Sequence, residues 1–156
     1  MLKPNRTIRI KTGDYLYRWH LIPRNKWFNI YLHKTVLDDY RILHDHPWDN
    51  ISIVLWGGYY EQTVIKDDGL GFVYSKDKYL TWHGPGSILV RRNKKAHRLQ
   101  LKDFKPCWSL FITGPRKSDW GFHTNVGWMS HTYMLDMDDY GQGLSIFRDE
   151  VLDLLK

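Results

Sequence analysis

"LHDHPWDNISIVLWGGYYEQ", residues 43–62, sets two histidines one residue apart ahead of a proline, an acid, an apolar run and a Gly-Gly pair. On an extended strand, residues two apart face the same side, so His44 and His46 present their imidazoles to one point while Asp45 faces away. A metal ion requires such convergence, because metal–imidazole bonds of about 2.1 Å leave little slack. Pro47 cannot donate to a strand ladder and interrupts pairing just after the histidines. That break lets Asp49 or Asn50 lean back toward the same point. Ile51 to Trp56 reads as a strand covered on both faces, and Gly57-Gly58 turns it into a hairpin with residues 59–65. Taken alone the pair is weak evidence, since most His-x-His pairs sit on surfaces or in packing.

Period-two alternation continues outward on both sides of this stretch. Residues 7–11, 15–22 and 28–33 read as strands before it, and 72–74, 79–82, 87–90, 96–101 and 107–113 after it, with Gly, Pro, Asn and Asp turns between. Many short strands at near-regular spacing predict an all-β sandwich or barrel. Only the tail departs: Ser145 can cap a helix over 144–155 in which Ile146, Val151 and Leu154 or Leu155 share one stripe. At 156 residues the chain fits one domain, 1–156.

The composition excludes several classes. Aromatics make up 15% of the chain, which argues for a packed core rather than disorder. No apolar run reaches the roughly 20 residues of a membrane span, and residues 1–6 lack a signal-peptide core. Cys107 is the only cysteine, so no internal disulfide forms; a cytoplasmic location is the expectation. The formal charge of +6 is uneven, with basic groups at the start and around 91–98 and an acidic tail. A basic surface favours anionic partners. A nucleic-acid partner is disfavoured, because no recognition motif appears and the early arginines fall on both faces of their strands.

A second stretch complements the first. Gly86 opens a strand, a polar turn follows, and His97 starts the next strand. Together these residues resemble the two motifs of the cupin superfamily. His44-x-His46 and Gly57 keep the spacing of the first motif, and Gly86 and His97 keep the spacing of the second. Asn50 stands where that motif has glutamate, with Asp49 one residue earlier. Arg92 and Lys94 replace the second motif's proline and glycine, Asp39 its opening glycine in the first, and Leu101 its final asparagine. "HDHPWD", "WGGYYE" and "AHRL" also look like a group of small, uncharacterised cupin-like proteins of bacteria and phages.

The resemblance implies a double-stranded β-helix, a jelly-roll barrel with the short C-terminal helix appended, and a divalent first-row metal ion (Fe, Mn, Ni or Zn) at its mouth. The expected ligands are His44, His46, His97 and a carboxylate, Asp49 in preference to Glu61, with Asn50 a weaker neutral alternative. Arg41, Arg98, Trp48 and Glu61 are the expected substrate-binding residues. Trp56, Trp82, Tyr59 and Trp108 are candidates for a pocket wall, and His123 and His131 for a lid or general base. Iron would support dioxygenase chemistry, and zinc or manganese Lewis-acid isomerisation. The expected function is a metal-dependent enzyme acting on a small anionic molecule. Alternatives are a binding protein for a sugar, nucleotide or metabolite, and a metal-free sugar epimerase. The expected partner is thus a small-molecule ligand, with a homodimer as a candidate assembly.

Overall fold

The computed structural model describes residues 2–10, 13–39, 42–63, 80–124 and 127–132. The expected helix over 144–155, the expected strand at 72–74 and Arg41 lie outside the described residues. Twelve strands, numbered in chain order, form two six-stranded sheets. The first runs β1 (Arg6–Ile10), β2 (Gly13–His20), β3 (Asn29–Thr35), β10 (Cys107–Thr113), β5 (Asn50–Trp56), β8 (Ile88–Arg91). The second runs β12 (Gly127–Ser130), β11 (Gly121–Thr124), β4 (Leu43–His44), β9 (His97–Leu101), β6 (Tyr59–Thr63), β7 (Leu80–His83). Every pairing is antiparallel. From β3 onward the chain passes back and forth between the sheets, the path of a jelly roll.

The inner face of the first sheet is unusually polar. Asn50 and Ser52 on β5, Ser109 and Thr113 on β10, His33 and Thr35 on β3, and Arg91 on β8 are all buried. Several apolar residues of the same strands point the other way: Ile88 is 67% exposed, Val90 70% and Leu55 46%. The β5 run is therefore not covered on both faces, contrary to the expectation from its β-branched sequence. Its buried positions are Asn50, Ser52 and Val54, two of them polar and facing the space between the sheets. Beside buried Leu16, Tyr31, Leu43, Phe111 and Phe122, a hydrophobic cluster unites Val54, Tyr59, Leu89, Leu101 and Cys107. Burying each of its large aliphatic side chains contributes about 1.5–3 kcal/mol. Burial pushes the Cys107 thiol up to about 11, so it behaves as a small inert core residue.

Three acids fix the strands that carry the histidines. β4 is only two residues long and meets β9 at a single pair, so most of β9 lacks ladder partners on that side. Asp39 and Asp38 supply them, accepting from Leu99 N (2.6 Å) and Leu101 N (2.7 Å). Asp45 is fully buried and accepts from Gly121 N (2.8 Å) and Trp128 Nε1 (3.0 Å), tying the end of β4 to β11 and β12. The hairpin turn at Gly57 requires glycine: φ is +76°, and a Cβ there would collide with the Pro106 carbonyl oxygen.

Candidate metal centre

His44 pairs directly with His97 across β4 and β9, and His46 follows two residues later on the same side, with Asp45 turned away. The three rings form a near-equilateral triangle. Their centroids lie 5.2 Å (His44–His46), 5.0 Å (His44–His97) and 5.1 Å (His46–His97) apart. One nitrogen from each ring lies within 4.8 Å of the other two. The Nε2 atoms of His46 and His97 are 2.9 Å apart. Two imidazole nitrogens bound to one ion at right or tetrahedral angles are about 3.0–3.4 Å apart, so small adjustments bring this group onto a metal. Burial holds the His44 pKa down at about 4 against the opposing pull of Asp39. Burial, reinforced by the neighbouring imidazoles and by the Arg91 and Arg18 guanidiniums, keeps His46 well below its usual range. Both rings are neutral at physiological pH and offer lone pairs, as metal binding demands.

Buried carboxylates stand behind two of the histidines. His97 Nδ1 lies 2.7 Å from Glu61 Oε1 and donates to it, which leaves the His97 Nε2 lone pair facing the triad. Glu61 also accepts from Arg91 Nε (2.6 Å), and its other oxygen lies 3.3 Å from His83 Nε2. Burial pushes the Glu61 carboxyl up, but His97 and Arg91 together outweigh it and hold it at about 2. Arg91 is completed by the Tyr59 hydroxyl at 3.2 Å. Behind His44, Asp39 Oδ2 lies 3.9 Å from Nδ1, with its oxygens already taken by Tyr15 OH and Leu99 N.

The other expected site residues divide. Asp49 turns to Asn93 N (2.8 Å) and the Lys117 ammonium (2.6 Å), with its side chain 37% exposed, and takes no part in the histidine group. Asn50 is 2% exposed on the inner face, between Thr113 on one side and Arg91 on the other. Neither of its amide atoms has a partner among the described residues, and the same holds for the buried Trp48 Nε1. Such orphaned polar groups are costly and call for an occupant that supplies contacts. Arg98 donates to the Gln62 side-chain oxygen at 2.7 Å. Glu61 orients His97 and pairs with Arg91.

Tyr59 is buried as expected, but Trp56 and Trp82 are exposed, and Trp108 stacks on Trp19 away from the inner face. Trp56, Trp82 and Trp108 thus stand apart from the histidine group. His123 reaches the Asp45 carboxylate at 3.1 Å, and His131 the Trp120 carbonyl at 3.0 Å. Asp39 and His83 were missed as partners of the site, and Arg91, which flanks the histidines in sequence, pairs with Glu61. The inward alternation of Tyr59 and Glu61 on β6 was a legible sign for the Glu61 network; nothing in the sequence marks Asp39 as the neighbour of His44.

No family model matches the sequence, and no curated protein matches it. Solved structures match in fold. An uncharacterized conserved protein with a double-stranded β-helix domain from Klebsiella pneumoniae aligns with a TM-score of 0.51 at 12% identity, over 75% of this chain and 90% of that one. The chain has the double-stranded β-helix fold. The DMSP lyase of Ruegeria pomeroyi aligns with a TM-score of 0.51 at 16% identity, over 73% of this chain and 54% of the lyase. HppE in its FeII form gives 0.51 at 10% identity, over 69% of this chain and 54% of HppE. The chain thus spans about half the length of those two proteins. Within this fold, its histidine triad is close enough to hold a metal ion. No helix among the described residues is long and apolar enough to cross a membrane.

Proposed function

We propose that this cupin is a metal-dependent enzyme that acts on a small anionic molecule at a centre formed by His44, His46 and His97. The observation that carries this reading is the convergence of three imidazole nitrogens within 4.8 Å, in rings that burial keeps neutral at His44 and His46. The residues fit a divalent ion of the Fe, Mn, Ni or Zn group, since imidazole with an oxygen donor suits each of them. When bound, such an ion supplies Lewis acidity and, where redox-active, electron transfer, the bases of isomerase and dioxygenase chemistry respectively.

The protein's own residues set the rest. Glu61 fixes the His97 tautomer, and Arg91 and Tyr59 fix Glu61. The unpartnered Asn50 amide would supply the fourth donor, in place of the expected Asp49 carboxylate, which is committed to Lys117 and Asn93 N. A neutral amide would leave the charge of the ion uncompensated, which would favour an anionic substrate. Burial holds the Tyr59 hydroxyl protonated, with its pKa raised, so it serves as a donor or positioning group.

The same substitution supports a second reading: a cupin that binds a metabolite without converting it. Loading the metal-free protein separately with Fe(II), Mn(II), Ni(II) and Zn(II) and following a panel of small carboxylates and phosphates by NMR separates the two. Conversion with one ion, abolished in His97→Ala, is the expected result. Saturable binding without conversion under every ion contradicts the enzyme reading and leaves the binding protein.

A further inference from the structure

A second group of charges gathers at β1, β2 and the segment after β2, where Arg6 and Arg24 are exposed and Arg18 is half-buried. Arg18 points inward with Leu16 and His20, opposite His33 in the β2–β3 register. Its Nε donates to His33 Nε2 at 2.8 Å, and its guanidinium lies 4.7 Å over the Tyr31 ring. A neutral imidazole and an aromatic face are thus its partners, and neither offsets its charge. On the other side Arg18 stands directly opposite Arg6 in the β1–β2 register. Like charges directly opposite each other across strands are destabilising. Arg24 also adds to the positive field on Arg18.

Among the described residues no carboxylate lies within 4 Å of Arg6, Arg18 or Arg24. Asp39, the acid that reaches Tyr15 on β2, is taken by the Tyr15 hydroxyl and Leu99 N. The remaining groups facing Arg18 are the Tyr15 and Tyr31 phenols and the His20 and His33 imidazoles, none of them a carboxylate. A half-buried cation without a counter-charge is costly unless a ligand supplies one.

Two ring contacts connect this group to the triad. His33 stacks on Phe111 with centroids 4.9 Å apart, and Phe111 lies 5.9 Å from His46. The Arg18 charge is felt at His46 itself.

We infer that Arg18, flanked by Arg6 and Arg24, is an oxyanion site that receives the carboxylate or phosphate of the small molecule whose other end reaches the histidine triad. The link to the triad rests on the metal-centre reading above; the oxyanion site rests on the arginine geometry alone. The planar guanidinium suits bidentate contact with either oxyanion, and Phe111 and Tyr31 supply the apolar walls between the two ends. The substrate class is then a short molecule with an oxyanion at one end and a metal-directed polar group at the other. His33 positions the guanidinium by accepting from it, which requires an unprotonated ring.

The test uses the full chain, freed of metal with a chelator and titrated at constant ionic strength with inorganic phosphate and with malonate. Calorimetry follows binding, and NMR follows the Arg18 Nε–Hε resonance of the unsubstituted protein. Expected are one saturable site for at least one of the two anions, a shift of that resonance on saturation, and a loss of at least about tenfold in affinity in Arg18→Met. Arg18→Lys should retain part of the affinity. Without anion, Arg18→Met should melt no lower than the unsubstituted protein, because it removes an unpaired charge; a purely structural arginine predicts a lower melting temperature. No saturable binding of either anion, an unmoved Arg18 resonance on saturation, or undiminished affinity in Arg18→Met overturns the inference. His44→Ala separates it from the metal reading: that variant should lose metal yet bind phosphate or malonate as the metal-free parent does.

Discussion

His97 Nδ1 lies 2.7 Å from Glu61 Oε1, and the same oxygen accepts from Arg91 Nε at 2.6 Å. One buried atom therefore orients a candidate metal ligand and neutralises a buried guanidinium. Glu61→Ala should break both. Metal affinity should fall by about 10–100-fold, the usual effect of removing a group that orients a ligand. Stability should fall by about 3–5 kcal/mol, because Arg91 is left buried without its counter-charge. Metal titration and urea unfolding of the same variant check the two effects. Unchanged values in both would show that the network has no energetic role.

Asp49 and Asn50 give opposite expectations despite being neighbours. Asn50→Ala removes two buried amide atoms that lack partners among the described residues, so it should weaken metal binding clearly. Asp49→Asn disrupts an exposed contact to Lys117 and should leave metal affinity nearly unchanged. Titration of both metal-free variants under one buffer measures the difference. Equal losses, or a larger loss in Asp49→Asn, would restore Asp49 as a ligand.

Acid should destabilise the metal-free protein in two stages. His33, His44 and His46 all have folded pKa values below the ordinary 6.5, with His44 at about 4. The unfolded chain takes up protons at these sites near 6.5 while the folded protein does not. Their contribution is therefore complete above pH 6.5 and is lost progressively as pH falls toward 4, by up to about 1.4 kcal/mol per pH unit for each imidazole. Glu61, held at about 2 against an ordinary 4.5, adds a second loss from pH 4.5 downward. Urea midpoints between pH 8 and pH 4 read this directly. A midpoint that stays flat from pH 7 to pH 5 would contradict the buried neutral imidazoles.

The all-β class and the histidine triad were legible because both depend on local periodicity. Two residues on one strand face share a side, and His44 and His46 obey that rule. His97 was reachable only through motif spacing, since nothing local predicts that β9 lies beside β4. The expectation of a carboxylate as fourth ligand rested on charge; in the structure Lys117, 68 residues away, pairs with Asp49. The orientation of β5 was misjudged for a related reason. Its apolar run suggests burial on both faces, yet the sheet turns Asn50 and Ser52 inward and leaves Leu55 and Trp56 exposed. Long-range pairing decides which side is the interior, and a single strand's sequence does not carry it.

Metal content tests the central claim most directly. The protein purified without added metal, and again after loading with Fe(II), Mn(II), Ni(II) or Zn(II), should bind one equivalent of at least one ion per chain by elemental analysis. His44→Ala and His97→Ala should each lose that ion while keeping the β-sheet circular dichroism of the parent. Full retention of the ion in both variants, or failure of the folded protein to bind any of the four, would contradict the account.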